Sequence, residues 1–274
     1  MMMRLLTATA LLVVVSAVAP TEASAQAIPE FRPRQPIPEA ARGFIGTWSR
    51  FPAGANNPER GNCGKLVDQN GEPRRGCALP VDQLPLNARA WAWVAFADEL
   101  LAPVYECAAH TVPTLLGDVR PFQISVDMDS VIVLYEMGNT FRRIWTDGRG
   151  HPPPYELFYQ GHAIGRWEGN AFVVETTHFT FDPDGMDDHA HLATSVRKRV
   201  IERYTLTSPT EMKIEITLED PLFLTRPFTW SHTWRKQTTR PLDGYAECDP
   251  DVTRREIELT VKDKYPLTPP APAR

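Results

Sequence analysis

From residue 121 onward, hydrophobic positions recur at every second residue. Phe122–Val126, Ser130–Tyr135 and Thr140–Trp145 are short runs rich in β-branched and aromatic residues. They are separated by Asp127–Asp129 and Met137–Asn139, which suit tight turns. His162–Trp167 and Ala171–Phe179 follow, joined by Glu168-Gly169-Asn170 as a hairpin. Val196–Thr205, Glu211–Glu219, Thr229–Arg235 and Glu256–Val261 bring the count to about nine strands. Alternation is cleanest in Glu211–Glu219, where Met212, Ile214, Ile216 and Leu218 share one face and charged or polar residues the other. Leu86–Leu101 carries a helical repeat instead (Leu86, Ala90, Trp93, Ala97 and Leu101), and Pro103 ends it. Consecutive strands with short turns describe an antiparallel meander, and a sheet of that width closes to remove its edges. The fold class expected is mainly β: an antiparallel, lipocalin-like barrel of about nine strands with one packed helix.

The start of the chain has a different pattern. Arg4 precedes an apolar run from Leu5 to Ala19, then come Pro20 and Ala23-Ser24-Ala25, the order of a cleavable export signal. Cleavage after Ala25 leaves 249 of the 274 residues, and no later stretch is apolar enough for a transmembrane segment. The domains expected are a signal peptide (1–25), a proline- and glycine-rich segment (26–79), a helix-plus-barrel domain (80–262) and a proline-rich tail (263–274). A periplasmic or secreted location makes disulfides the expected state of Cys63, Cys77, Cys107 and Cys248. Three pairings are open; the preferred one joins Cys63 to Cys77 and Cys107 to Cys248. The formal charge of −5 argues against a nucleic-acid partner, which needs clustered cations.

Candidate chemistry gathers on histidines. His189 and His191 stand two apart behind Asp187 and Asp188. In an extended segment both rings point the same way, as acid–base work, ligand binding or, with His178 or Asp188 added, metal ligation would need. A polar loop with exposed histidines is the competing reading, and no metal is assigned. Trp230, His232 and Trp234 share one strand face, suited to a flat apolar ligand or to core packing. Phe141, Arg143 and Trp145 also share a face, where Arg143 is either a cavity-lining cation or a surface one. Tyr135 continues the Val131/Val133 face, and His162 and Arg166 flank Ile164 on theirs. No nucleophile elbow, phosphate loop, dinucleotide fingerprint or H-E-x-x-H occurs in the sequence.

Several stretches carry a family likeness. Arg143-Ile-Trp-Thr-Asp-Gly-Arg149, His151-Pro152, Gly161-His-Ala-Ile-Gly-Arg-Trp-Glu-Gly169 and Val173-Val-Glu-Thr-Thr177 resemble a large group of exported bacterial proteins. That group is marked by a "DGR-x-HP … GHSIGRWEGDTLVVDTTGF" core. Glu202-Arg203-Tyr204, Glu219-Asp220-Pro221, Thr225-Arg-Pro227 and Cys248 are similar to its later landmarks. The resemblance spans roughly Cys107 to Cys248 and implies a secreted, lipocalin-like barrel without implying an activity. The chain departs from it at His178, where the group has Gly, at Asn139, where it often has His, and across Asp184–His191.

The function expected is that of a cofactor-independent lyase or isomerase acting on a small aromatic compound. Its catalytic residues would be His178, His191 and His232. Tyr135, Arg143, Trp145, His162, Arg166, His189 and Trp230 would bind the substrate. The alternatives are a carrier for a small hydrophobic or aromatic molecule, using the same cavity without chemistry, and a structural barrel filled by its own side chains.

Overall fold

Met212, Ile214, Ile216 and Leu218 are fully buried, so the face selected by alternation is the one that builds the core. The computed structural model describes residues 39–51, 81–96, 102–238, 242, 248–253 and 255. The export signal, Cys63, Cys77, the strand expected at Glu256–Val261 and the proline-rich tail lie outside the described residues.

After the short helix α1 (Glu39–Arg42) come β1 (Gly46–Phe51), α2 (Ala88–Phe96), α3 (Thr114–Gly117), β2 (Phe122–Val126), β3 (Ser130–Tyr135) and β4 (Thr140–Trp145). Next are β5 (His162–Glu168), β6 (Ala171–Thr177), β7 (Asp182–Asp187), β8 (Leu192–Thr194), β9 (Arg199–Ser208), β10 (Glu211–Glu219) and β11 (Phe228–Gln237). Nine of these strands close into a barrel in the order β1-β11-β10-β9-β6-β5-β4-β3-β2, while β7 and β8 form a separate two-stranded sheet.

Two expectations are corrected. The barrel does not begin at residue 80: β1 pairs antiparallel with both β11 and β2 and closes the ring from within the segment expected to stand apart. Nor is the sheet a pure meander. A closed ring with an odd number of strands cannot alternate direction throughout, so one neighbouring pair must be parallel. That pair is β4–β5, joined only by Ile144↔Ala163 and Trp145↔Ile164. A parallel pair needs a long crossover, here residues 146–161, which carry the Asp147-Gly148-Arg149 turn and His151.

The interior is packed with the barrel's own side chains. Trp48, Ile124, Val133, Ile144, Val174, Val200, Ile214 and Trp234 point inward, none more than 3 % exposed. A polar group sits among them. Arg142 Nη1 and Nη2 donate to Glu202 Oε2 at 3.1 Å and Oε1 at 2.7 Å. The same guanidinium reaches Tyr135 Oη at 3.2 Å and Thr176 Oγ1 at 2.9 Å, and Tyr204 donates to Glu202 Oε2 at 2.5 Å. Burial opposes the charge on Arg142, but Glu202 together with Tyr135 and Tyr204 outweighs it and raises the guanidinium pKa well above its usual value. Burial raises both phenols, so they remain protonated.

Helix α2 is described as far as Phe96, and residues 97–101 of the expected repeat lie outside the described residues. Asn87 caps α2, its Oδ1 accepting from Arg89 N at 3.0 Å and Ala90 N at 3.1 Å. Asn87 N and Nδ2 also donate to Phe223 O and Leu222 O, each at 3.0 Å, tying the helix to the loop after β10. Among the described residues no helix is long and apolar enough to cross a membrane.

Cys107 and Cys248 are disulfide-bonded across 141 residues, as the preferred pairing has it. Closing so long a loop restricts the unfolded chain. Reduction, or Cys107→Ser with Cys248→Ser, is therefore expected to cost about 2–4 kcal/mol in a urea titration. An unchanged midpoint would show that the bond restrains only a terminal segment.

Candidate functional site

The chain leaves the barrel between β6 and β9 to form the β7–β8 hairpin, and titratable side chains concentrate beneath it. Gly185 lets the two hairpin strands close up, because a Cβ there would lie 2.1 Å from Thr194 Oγ1. Trp93 of α2 meets Phe181 edge-on at 5.1 Å, and Thr114 of α3 donates to Asp184 O at 3.0 Å. The 111–117 segment joins hairpin to barrel: the inward-facing Arg50 donates to Gly117 O, and Lys198 Nζ donates to Val112 O at 2.9 Å.

Asp182, Asp184, Lys198 and His110 are each at most 3 % exposed. Lys198 Nζ also donates to Thr111 Oγ1 at 2.8 Å and lies 4.1 Å from the centre of the Phe179 ring. Thr111 passes the contact on, donating to Asp182 Oδ2 at 2.6 Å. Burial pushes Lys198 down to about 8, against the pull of Asp182 and Asp220. His191 Nδ1 meets Asp184 Oδ1 at 3.2 Å. Beside that pair, Asp188 faces His189 Nδ1 at 2.9 Å and His110 Nε2 at 3.4 Å.

These two carboxyls are driven in opposite directions. Burial raises Asp184 despite the hydrogen bond to His191. Asp188 falls to about 2, because its bond to His189 and the charge of His110 outweigh burial. Asp184 Oδ2, Tyr159 Oη, Thr194 Oγ1 and His110 Nδ1 are buried without a hydrogen-bond partner. Buried polar groups are ordinarily satisfied, so these four leave polar capacity beneath the hairpin, as Ser130 Oγ, Arg142 Nε and Trp234 Nε1 do elsewhere in the fold. Asp182 and Asp184 also push the Tyr159 phenol upward, adding to burial.

The expected site residues do not converge. Only His189 and His191 belong to the hairpin, and they do not share a face. Residues 188–191 turn rather than extend, with His191 at φ +50°. His189 is exposed on Asp188, whereas His191 is largely buried on Asp184. Asp187, Asp188 and His189 offer ligand atoms within 4.8 Å of one another, but Asp187 Oδ1 already accepts from Ala190 N at 2.9 Å and both Asp188 oxygens face imidazoles.

His232 is inside the barrel, 4 % exposed, between Arg50 Nη2 at 2.8 Å and Trp230 Nε1 at 3.2 Å. Tyr135 and Trp230 also turn inward. Arg143, Trp145 and Arg166 are on the outer face, which corrects their assignment to a cavity wall. The buried cation of β4 is Arg142, because its neighbour Ile144 anchors that face in the core. His162 and His178 belong to a second group with His151 at the parallel seam.

Asp184, Tyr159, Lys198 and His110 were missed. Strand parity would have found Lys198, which shares the inward face of Val200, Glu202 and Tyr204. His110 and Tyr159 lie in irregular segments with no such signal.

His162 provides a titration to follow. Burial, then His151, His178 and Arg149, hold its pKa down at about 4 against the ordinary 6.5. Between those values the unfolded chain binds a proton that the folded chain refuses, so this group's contribution is present above pH 6.5 and lost as pH falls towards 4. The urea midpoint is expected to drop between pH ~7 and ~4.5, and His162→Gln to shrink that drop. An equal drop in the variant would assign it to other groups.

No family model matches the chain, and no curated protein does. Among solved structures, a mutant of the fluorescent protein UnaG aligns at 12% identity with a TM-score of 0.31, covering 72% of this chain and 99% of that one. A superposition that loose bears on no residue of the site.

Proposed function

We propose that the protein is an acid–base enzyme for a small aromatic or apolar compound, a lyase or isomerase. Its chemistry would lie beneath the β7–β8 hairpin rather than inside the barrel. The observation that carries this reading is the His191–Asp184 pair at 3.2 Å, with the second Asp184 oxygen buried and unpartnered. Asp184 orients the imidazole through Nδ1, and Nε2 is left to take a proton from substrate. Tyr159, kept protonated by burial and the nearby aspartates, would return one. Phe181, 42% exposed, and Trp93 supply an apolar wall. A carrier with a hollow barrel is less well supported, since the inward-facing side chains already fill the space. The export signal, the Cys107–Cys248 disulfide and the resemblance to exported proteins support a role outside the cytoplasm.

The test is proton abstraction. The full chain is incubated in D₂O with a panel of small phenolic and aryl-substituted carbonyl compounds, and loss of their acidic C–H signals is followed by NMR. Exchange with the native protein and its loss in His191→Asn are expected. Exchange that persists in the variant, or none across the panel with the native protein, overturns the reading.

A further inference from the structure

Three imidazoles gather at the parallel seam, apart from the hairpin. His151 comes from the crossover, His162 opens β5, and His178 follows β6. His151 Nδ1 and His162 Nδ1 stand 2.9 Å apart. Ring centroids are separated by 5.1 Å for His151–His162, 5.4 Å for His151–His178 and 6.5 Å for His162–His178. Two imidazoles bonded to one ion at about 2.0–2.1 Å per nitrogen hold their centroids roughly 5 Å apart. The first two separations match that value, and the third is longer, so ligation by all three rings requires His178 to turn towards His162.

The surroundings fit ligation as well. His178 Nδ1 is engaged with Thr177 Oγ1 at 2.7 Å, which leaves Nε2 for an ion. His151 Nε2 is buried without a hydrogen bond; Glu175 Oε1, which accepts from Arg199 Nε at 3.0 Å, stands 3.8 Å from it, one small ring movement short of a bond. A carboxylate behind a ligand histidine is the usual way its ring is oriented and made more basic. Both nearby cations are paired: Arg149 with Asp147 through contacts of 2.9 and 2.7 Å, and Arg199 with Glu175 at 3.0 Å and Glu219 at 3.1 Å. His178 holds φ +61°, a conformation that costs a non-glycine residue free energy. A hydrogen bond between two rings would need neither this third imidazole nor its strained backbone.

We propose that His151, His162 and His178 form a site for one divalent transition ion of the zinc class, with Glu175 positioning His151. Imidazole nitrogens suit borderline ions of this kind, and an all-nitrogen set disfavours calcium or magnesium. The sequence hides the site because its three histidines come from separate segments and meet only through the crossover.

The experiment uses the full chain stripped with a chelator, titrated with zinc(II) by calorimetry and with cobalt(II) by visible absorption. One equivalent per chain is expected. His151→Gln and His162→Gln should each weaken zinc binding about tenfold or more. His178→Gly, which relieves the φ +61° strain and so protects the fold, should also weaken it. Asp188→Asn with His189→Ala should leave it intact. The proposal is overturned by sub-stoichiometric uptake, by binding unchanged in His162→Gln, or by binding that depends on Asp188 and His189 instead. None of these readouts involves turnover, so the result is independent of the hairpin chemistry.

Discussion

Arg142→Met is expected to destabilise the fold by about 3–5 kcal/mol, the largest loss from any single replacement discussed, because it strands Glu202 as a buried charge. For a domain of this size that corresponds to a melting temperature lowered by ~2–4 °C for each kcal/mol. The magnitude follows from the setting. Arg142 and Glu202 side chains are at most 1 % exposed, and the carboxylate exchanges two charge-assisted bonds with the guanidinium. Adding Glu202→Leu is expected to recover part of the loss, since the uncompensated charge is then gone. Part must remain, because Tyr135, Tyr204 and Thr176 lose their partners. Urea titrations of the native chain and both variants check this. A single variant as stable as the native chain would show that Glu202 is protonated or solvated in the folded state.

His191→Asn is expected to lower turnover by ~10²–10⁴-fold, the range associated with loss of a general acid or base. Asparagine is the informative choice. It tolerates the left-handed backbone at φ +50° better than alanine, so the hairpin turn is preserved while the titrating ring is removed. Asp184→Asn should also reduce turnover, because an amide no longer orients the imidazole as the carboxylate does. His232→Gln should leave turnover unchanged, since that ring is bonded to Arg50 and Trp230 inside the barrel. If His232→Gln were the damaging variant and His191→Asn were silent, the chemistry would belong to the barrel interior.

Much of the fold could be read from period-two alternation. Strands β2, β3, β4 and β10 have the bounds that alternation predicts, and β5, β6, β9 and β11 differ at their ends. Alternation carried less information about which face was which. In β4 the choice lay between Phe141, Arg143 and Trp145 on one face and Arg142 and Ile144 on the other. Aromatic content favoured the wrong set, and only a partner 60 residues away, Glu202, makes Arg142 affordable inside. At Asp188–His191 the chain turns, so the extended arrangement that would align the two rings does not form and His189 is separated from His191. His110, Tyr159 and His151 lie in irregular stretches where no periodicity exists, so their convergence depends on topology.

The parallel seam shows how topology can create room for function. An odd ring imposes one long return path on the chain whatever its sequence, much as a belt of odd links must be spliced somewhere. Residues 146–161 are that splice, and only two residue pairs along β4–β5 depend on their course. Side chains on such a path can change without shifting the register of any antiparallel neighbour. A barrel whose interior is committed to its own packing thus retains one stretch of backbone free to acquire chemistry.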